Sequence, residues 1–427
     1  MKRIIGLSVF LLLSLSLCLG QLTPSAGANT YYSPTQHLAD INGLHLADIN
    51  GLPAIRGTWY FVDPTSGNTA SDGKSIATAM ANFDSAYARC ASGAGDGIAL
   101  LSRDIGTSAS TTSYLKKGIV WAKYGITVFG IQSETYFGRA RIASQEILTS
   151  VKQITEAAHT FTRTTGSFIT DGWKIGLTGI DSSAGANNGA MFTVTNVTAT
   201  AITFSETFSA VSVATVTLKS YCAPLIKITG SNNAFYNLEI VNQGTITADT
   251  GGVSIQANRN YMKNVHIIGA GSTLAAALAT YQFDLEVDAS ECTFDDCYFG
   301  TNSTLYGAAN GHIKLGNSTT GIGQDFFNHC HVISNSATAG HAAIWVTNAA
   351  TLGGWVQFSD CTFQNWQSGA ITALTVAIAG ATPNNCGIFL HNCGEIGWAA
   401  WGANNDKWVT DNAAGAAGIG GIGLNIQ

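Results

Sequence analysis

Six short segments in the second half of this chain repeat one pattern: "FYNLEI", "MKNVHI", "FDDCYF", "FNHCHV", "FSDCTF" and "LHNCGEI". Each has a polar residue at its centre: Asn237, Asn264, Asp296, His329, Asp360 and Asn392, at intervals of 27, 32, 33, 31 and 32. Two positions before it stands Phe235, Met262, Phe294, Phe327, Phe358 or Leu390, and one position after it Leu238, Val265, Cys297, Cys330, Cys361 or Cys393. Self-similarity at such a period marks a chain assembled from stacked units, and it constrains the fold more than any local propensity.

The residue types say which unit is stacked. Apolar positions one and three after the polar residue follow the two-residue period of a strand. Asn and Asp tolerate the left-handed backbone that a sharp corner between strands requires. A further pair of β-formers precedes each of the first five corners: Ile226/Ile228, Val253/Ile255, Leu285/Val287, Ile313/Leu315 and Ile344/Val346. Helical repeats would need runs of ten or more residues at period 3.6, and the repeated region has none. The expected fold is therefore all-β, a parallel β-helix with a capping helix at its N-terminal end. With 11% charged residues, 48 glycines and 6 prolines, the chain is too apolar for disorder and too poor in charge for a long solvated helix.

In a parallel β-helix, equivalent inward residues stack from coil to coil at the strand spacing of ~4.8 Å. Cys297, Cys330, Cys361 and Cys393 should therefore form an internal column of small, polarizable apolar groups. No CxxC pair supports zinc. A disulfide, for instance Cys386 with Cys393, is the alternative.

Outside the repeat, residues 1–28 read as an export signal: basic "MKR", the apolar run "IIGLSVFLLLSLSLCLG" and a small-x-small site at Ala26–Ala28. Residues 29–57 form a linker or docking arm containing the octapeptide "HLADINGL" twice in tandem. Residues 58–149 give the cap and first coils, with Ile76, Met80, Phe83, Tyr87 and Cys90 on one helical stripe. Residues 150–221 break the rhythm with short strands and turn signals such as Asn187-Asn188-Gly189, and read as an inserted small β-domain. Coils resume over 222–400, and 401–427 form a C-terminal cap and Gly/Ala-rich tail. The segment "FVDPTSG…DGKS…GDGIALL" followed by coils resembles the right-handed parallel β-helix proteins of the pectate-lyase-like superfamily, which implies a right-handed solenoid here. The insert, with "GW…G…NNG.FTV", resembles small β-domains of bacteriophage virion proteins.

Two outward columns carry potential chemistry. Lys227, Ser254, Glu286, Lys314 and Trp345 occupy equivalent positions, and Asp284 falls beside His312. Asp284, Glu286, His312 and Lys314 are candidate catalytic groups of a sugar-processing cleft, Lys as base for β-elimination or paired acids for hydrolysis. Trp345 is a candidate sugar-binding platform. A cross-coil salt bridge of Glu286 with Lys314 is the plainer alternative. The corners Asp296, His329 and Asp360 are weak metal candidates, against the plainer reading of side chains capping backbone groups. No cofactor is implied, since "GAGDG" follows a helix instead of opening one. The acidic net charge of −6 offers no basic face to nucleic acid.

Two functions compete on these grounds. The first is a non-enzymatic structural or surface-binding protein, exported or virion-associated, acting as decoration, fibre or adhesin module. The second is a polysaccharide lyase or glycoside hydrolase using the patch from Asp284 to Lys314. The expected partners are a cell-surface or extracellular polysaccharide, further copies of the chain in a trimer, or virion proteins; the expected location is extracellular, at the cell surface, or in a virion.

Overall fold

The computed structural model describes residues 55–101, 112–115, 118–131, 139–151, 153–155, 159–181, 190–207, 216–222, 224–244, 251–271, 283–307, 311–316, 322–338, 341–346, 354–367, 374–376, 387–398 and 409–412. The export segment, the tandem octapeptides, Cys386 and the tail beyond Asn412 lie outside them.

The chain is a right-handed parallel β-helix of three sheets. A first sheet of ten strands runs from Trp59–Val62 to Val409–Asn412, and includes Asp325–Asn328, Trp355–Ser359 and Gly387–His391. A second sheet of eight runs from Thr112–Leu115 to Gly394–Ile396, and a third of seven from Ile119–Trp121 to Leu374–Val376. Every pairing within these three sheets is parallel, with equivalent residues of successive coils in register, as in Phe294↔Phe327↔Phe358.

The corners explain why the repeat had to be polar. Asn237, Asn264, Asp296, His329, Asp360 and Asn392 all have φ between 52° and 55°, the left-handed region that Asn and Asp tolerate best. Each corner from Asn237 to Asp360 donates its backbone N–H to a carbonyl of the next coil, as in Asp296 N to Asn328 O at 3.0 Å. A second left-handed column, Asn232, Arg259, Glu291 and Gln324, turns the chain five residues earlier. Its mixed residue types leave no repeating signal in the sequence. The first-sheet strands of these four coils are thus bounded by sharp corners at both ends.

Inside, Phe294, Phe327 and Phe358 stack with ring centroids 4.4 Å apart. Cys297, Cys330, Cys361 and Cys393 are buried and unbridged, each thiol donating to a carbonyl two residues before it at 3.3–3.5 Å. Burial drives the Cys330 thiol well above its ordinary pKa. The column is packing.

The capping helix is shorter than its sequence stripe implies. It spans Phe83–Arg89, preceded by a single 3-10 turn at Ile76–Thr78, and Ile76 is exposed. Met80, Phe83 and Cys90 do cover the open end, with Tyr87 stacked on the buried Trp121 at 4.2 Å. Lys123 Nζ donates to the carbonyls of Tyr87, Ala88 and Cys90 at 2.6–2.9 Å, satisfying groups that the helix end leaves orphaned.

Between Leu148 and Ser220 seven strands form an antiparallel sheet. Its core of Ile147, Val151, Phe161, Phe168, Trp173, Leu177, Phe192, Val194, Ile202, Phe204, Val216 and Leu218 is separate from that of the solenoid. Across this interruption the coil strand Ala140–Ser144 pairs directly with Leu238–Val241.

Candidate functional site

On the outer side of the third sheet, strand register sets Lys227 beside Ser254, Ser254 beside Glu286, Glu286 beside Lys314 and Lys314 beside Trp345. Glu286 accepts from Lys314 Nζ and from Ser254 Oγ, both at 2.6 Å. The Lys314 ammonium also lies 5.3 Å from the Phe283 ring centroid and 6.0 Å from that of Trp345. Asp284 meets His312 as the register requires, Oδ2 to Nδ1 at 2.5 Å.

Facing outward from the sheet does not put these side chains in water. Asp284 and His312 are 0% exposed and Glu286 4%, while Lys314 and Trp345 are half-buried. The segment Thr301–Gly307 brings the wholly buried Tyr306 ring edge-on against His312 at 4.8 Å. Tyr306 stacks on His341 at 5.5 Å, and its carbonyl accepts from Ser336 Oγ at 2.7 Å. The Nε2 atoms of His312 and His341 stand 3.1 Å apart, and Ser334 Oγ is 3.1 Å from His341 Nε2. Asp284 Oδ1 accepts the backbone N–H of Gly269 at 2.6 Å. Gly300 is required here: its φ is 84°, and a Cβ would come within 2.6 Å of His312 Nδ1. Among the described residues these groups bind one another, with Asp284, His312, Tyr306 and His341 wholly buried.

The corner candidates do not converge either. Asp296, His329 and Asp360 carry half-exposed side chains in file along the surface, His329 Nε2 lying 3.8 Å from Asp360 Oδ2 and Asp296 Oδ2 4.0 Å from Lys263 Nζ. Among the described residues, no group of three or more His, Cys, Asp or Glu side chains is placed to hold a metal. Their shared feature is the left-handed backbone.

Two outer faces were missed. The second sheet carries the column Arg141–Glu239–His266–Tyr298–His331, all half-buried. Arg141 Nε donates to Glu239 Oε2 at 2.5 Å, and His266 Nε2 donates to the Gly300 carbonyl at 2.8 Å. Burial lowers the pKa of His266 and of His331, which stacks on Tyr298 at 4.9 Å. Arg139 sits over the Tyr298 ring at 4.7 Å. Both arginines precede the insert, so an alignment that began after it could not find them.

The first sheet carries rings. Phe129, Tyr236 and Tyr261 neighbour one another at 6.1 and 5.6 Å, and Phe326, Trp355 and Phe389 at 4.9 and 6.4 Å. Strand alternation turns them outward, since Phe235, Met262, Phe327, Val356 and Phe358 between them are core. Between the two groups of rings, Asp295 accepts from Tyr261 Oη at 2.6 Å and from Asn328 Nδ2 at 2.8 Å. Burial, followed by Asp295, raises the Tyr261 phenol above its ordinary pKa. In sequence the signal is an aromatic residue next to an inward apolar one: Tyr236 after Phe235, Tyr261 before Met262, Phe326 before Phe327, Trp355 before Val356 and Phe389 before Leu390.

No protein-family model matches the chain, and no curated protein matches it. Among solved structures it is similar to a pectate lyase at 14% identity, covering 84% of this chain and 82% of that one with a TM-score of 0.37. A pectin methylesterase variant crystallised with a hexasaccharide matches at 11% identity over 83% and 93%, TM-score 0.37. The Dettilon tailspike protein matches at 9% over 79% of this chain and 50% of its own, TM-score 0.32. At these values the likenesses carry no argument about activity, and the strand register itself defines the fold.

Proposed function

We propose that this protein is a non-enzymatic surface-binding β-helix whose partner is an extracellular polysaccharide, taken along the ring-lined outer face of the first sheet. The observation that carries this reading is the half-exposed aromatic column Phe326–Trp355–Phe389, set among polar side chains such as Asn328, Gln357 and Ser359. Aromatic faces stack on the apolar faces of sugar rings while neighbouring amides and hydroxyls take the sugar hydroxyls. Trp345 extends the same chemistry on the third sheet. An exported or virion-borne solenoid acting as decoration or adhesin module, self-associating or docked to other virion proteins, fits such a face. Calorimetric titration with a panel of neutral polysaccharides tests it: saturable binding to at least one is expected, and weakened binding in Trp355→Ala. Absence of binding across the panel, or binding indifferent to Trp355, would overturn it.

A lyase or hydrolase is the second reading, and one observation favours it. Glu239 is a half-buried carboxylate flanked by Arg141 and His266, and is less deeply buried than Asp284. Release of sugar ends that disappears in Glu239→Gln would establish it.

A further inference from the structure

Four residues before each corner lies an inward column: Asn233, Asn260, Cys292, Asp325, Val356 and Ile388, every one buried. The two asparagines make the same pair of bonds. Oδ1 accepts the backbone N–H of the coil before, from Ile126 to Asn233 and from Asn233 to Asn260, both at 3.0 Å. Nδ2 donates to the carbonyl three residues upstream, Gly230 O at 2.8 Å and Ala257 O at 2.6 Å. This is an interior ladder in which each amide stitches two coils together.

Asp325 occupies the same position with half of those bonds. Its Oδ1 accepts from Cys292 N at 2.8 Å, the inter-coil bond of the asparagines. Its Oδ2, where an asparagine has its donor, is buried without a partner. The side chain is 0% exposed. An ionised carboxylate here would place a charged oxygen in an apolar interior with nothing to receive it, whereas an O–H could donate as the asparagine nitrogens do.

We propose that Asp325 is a protonated carboxylic acid standing in for an asparagine, and that its ionisation makes a pH-sensitive joint between stacked coils. Burial pushes the carboxyl up to about 8, with Glu291 adding to the rise and the Cys292 N–H opposing it. Of the charged and titratable groups around it, Glu291 is ion-paired with Arg259, and the Cys292 thiol is itself pushed up to about 12 by burial. The folded state holds the proton to higher pH than the unfolded chain, where an aspartate titrates near ~3.9. The stabilisation is therefore complete below about pH 4 and is lost as pH rises towards about 8, where both states are ionised.

The experiment compares unfolding of the wild-type chain and Asp325→Asn from about pH 4 to about pH 9, with infrared spectra of both. Across that window the ratio of wild-type to variant unfolding constants should rise by up to about tenfold per pH unit, levelling off near pH 8. A carboxylic-acid C=O band should persist in the wild type at neutral pH and be missing from the variant. A ratio independent of pH would overturn the proposal. So would a wild-type spectrum whose last carboxylic-acid band disappears near pH 4, a result that stands even if the variant folds poorly.

Discussion

The outer faces of the third and first sheets are built on the same coils from the same strand alternation, and they end up with opposite chemistry. The third sheet gathers what an enzyme would use: two carboxylates, histidines and a lysine. Among the described residues their bonds run within the fold, Asp284 with His312 and Gly269, Glu286 with Lys314 and Ser254. The first sheet gathers rings and amides with few charges, and leaves them half open. Charge placed next to charge on a solenoid is satisfied by the neighbouring coil ~4.8 Å away, whereas an aromatic edge keeps a free face. The side chains that look reactive are here the ones that hold the coils together.

That contrast is sharpest at Asp284. Replacing it with Ala leaves His312 buried beside Tyr306 without its carboxylate, and unfolding free energy should fall by ~3–5 kcal/mol, read by chemical denaturation. A loss under ~1 kcal/mol would mean that the third-sheet cluster is open to solvent after all. Glu286→Ala strands a half-buried Lys314 and should cost less, ~2–4 kcal/mol by the same measurement. Lys314→Met, which removes charge but keeps volume, should recover part of the loss in the Glu286→Ala background. Trp345 stands between the two behaviours. Half-buried under the Lys314 ammonium, its change to Ala should cost ~1–2 kcal/mol, short of the ~3–5 of a fully buried tryptophan. Smallest of all should be the effect of exchanging residues 148–220 for a short linker. The coils before and after it are already paired, Ala140–Ser144 with Leu238–Val241 and Ile119–Trp121 with Ile226–Ile228, and the insert has its own core. The melting transition of the solenoid should remain cooperative, and its loss would show that the two cores are one unit.

Much of this architecture was legible, because stacked coils impose a column on every position. The corners, the phenylalanine stack and the cysteine column could be read from spacing, and so could the pairing of Asp284 with His312 and of Glu286 with Lys314. Depth could not. Alternation tells which side of a strand a residue faces, and not what covers that side: Tyr306 meets His312 from the irregular segment Thr301–Gly307 without any repeat to announce it. Arg139 and Arg141 were hidden for another reason: the insert separates their coil from its neighbour in sequence while leaving the two adjacent in space. The left-handed turns at Arg259, Glu291 and Gln324 were hidden because those residues are rarely chosen for such a backbone.

The most direct test of the contrast is the affinity for one polysaccharide ligand of two variants, Trp355→Ala with Phe389→Ala on the first sheet and Asp284→Asn on the third. It should be made at a temperature where both remain folded, with sugar-end release followed in the same samples. The double variant should bind at least about tenfold more weakly, a loss of ~1.4 kcal/mol, while Asp284→Asn binds as the unaltered chain does and no sample releases sugar ends. Unchanged affinity in the double variant, or sugar-end release that Asp284→Asn abolishes, would contradict the account.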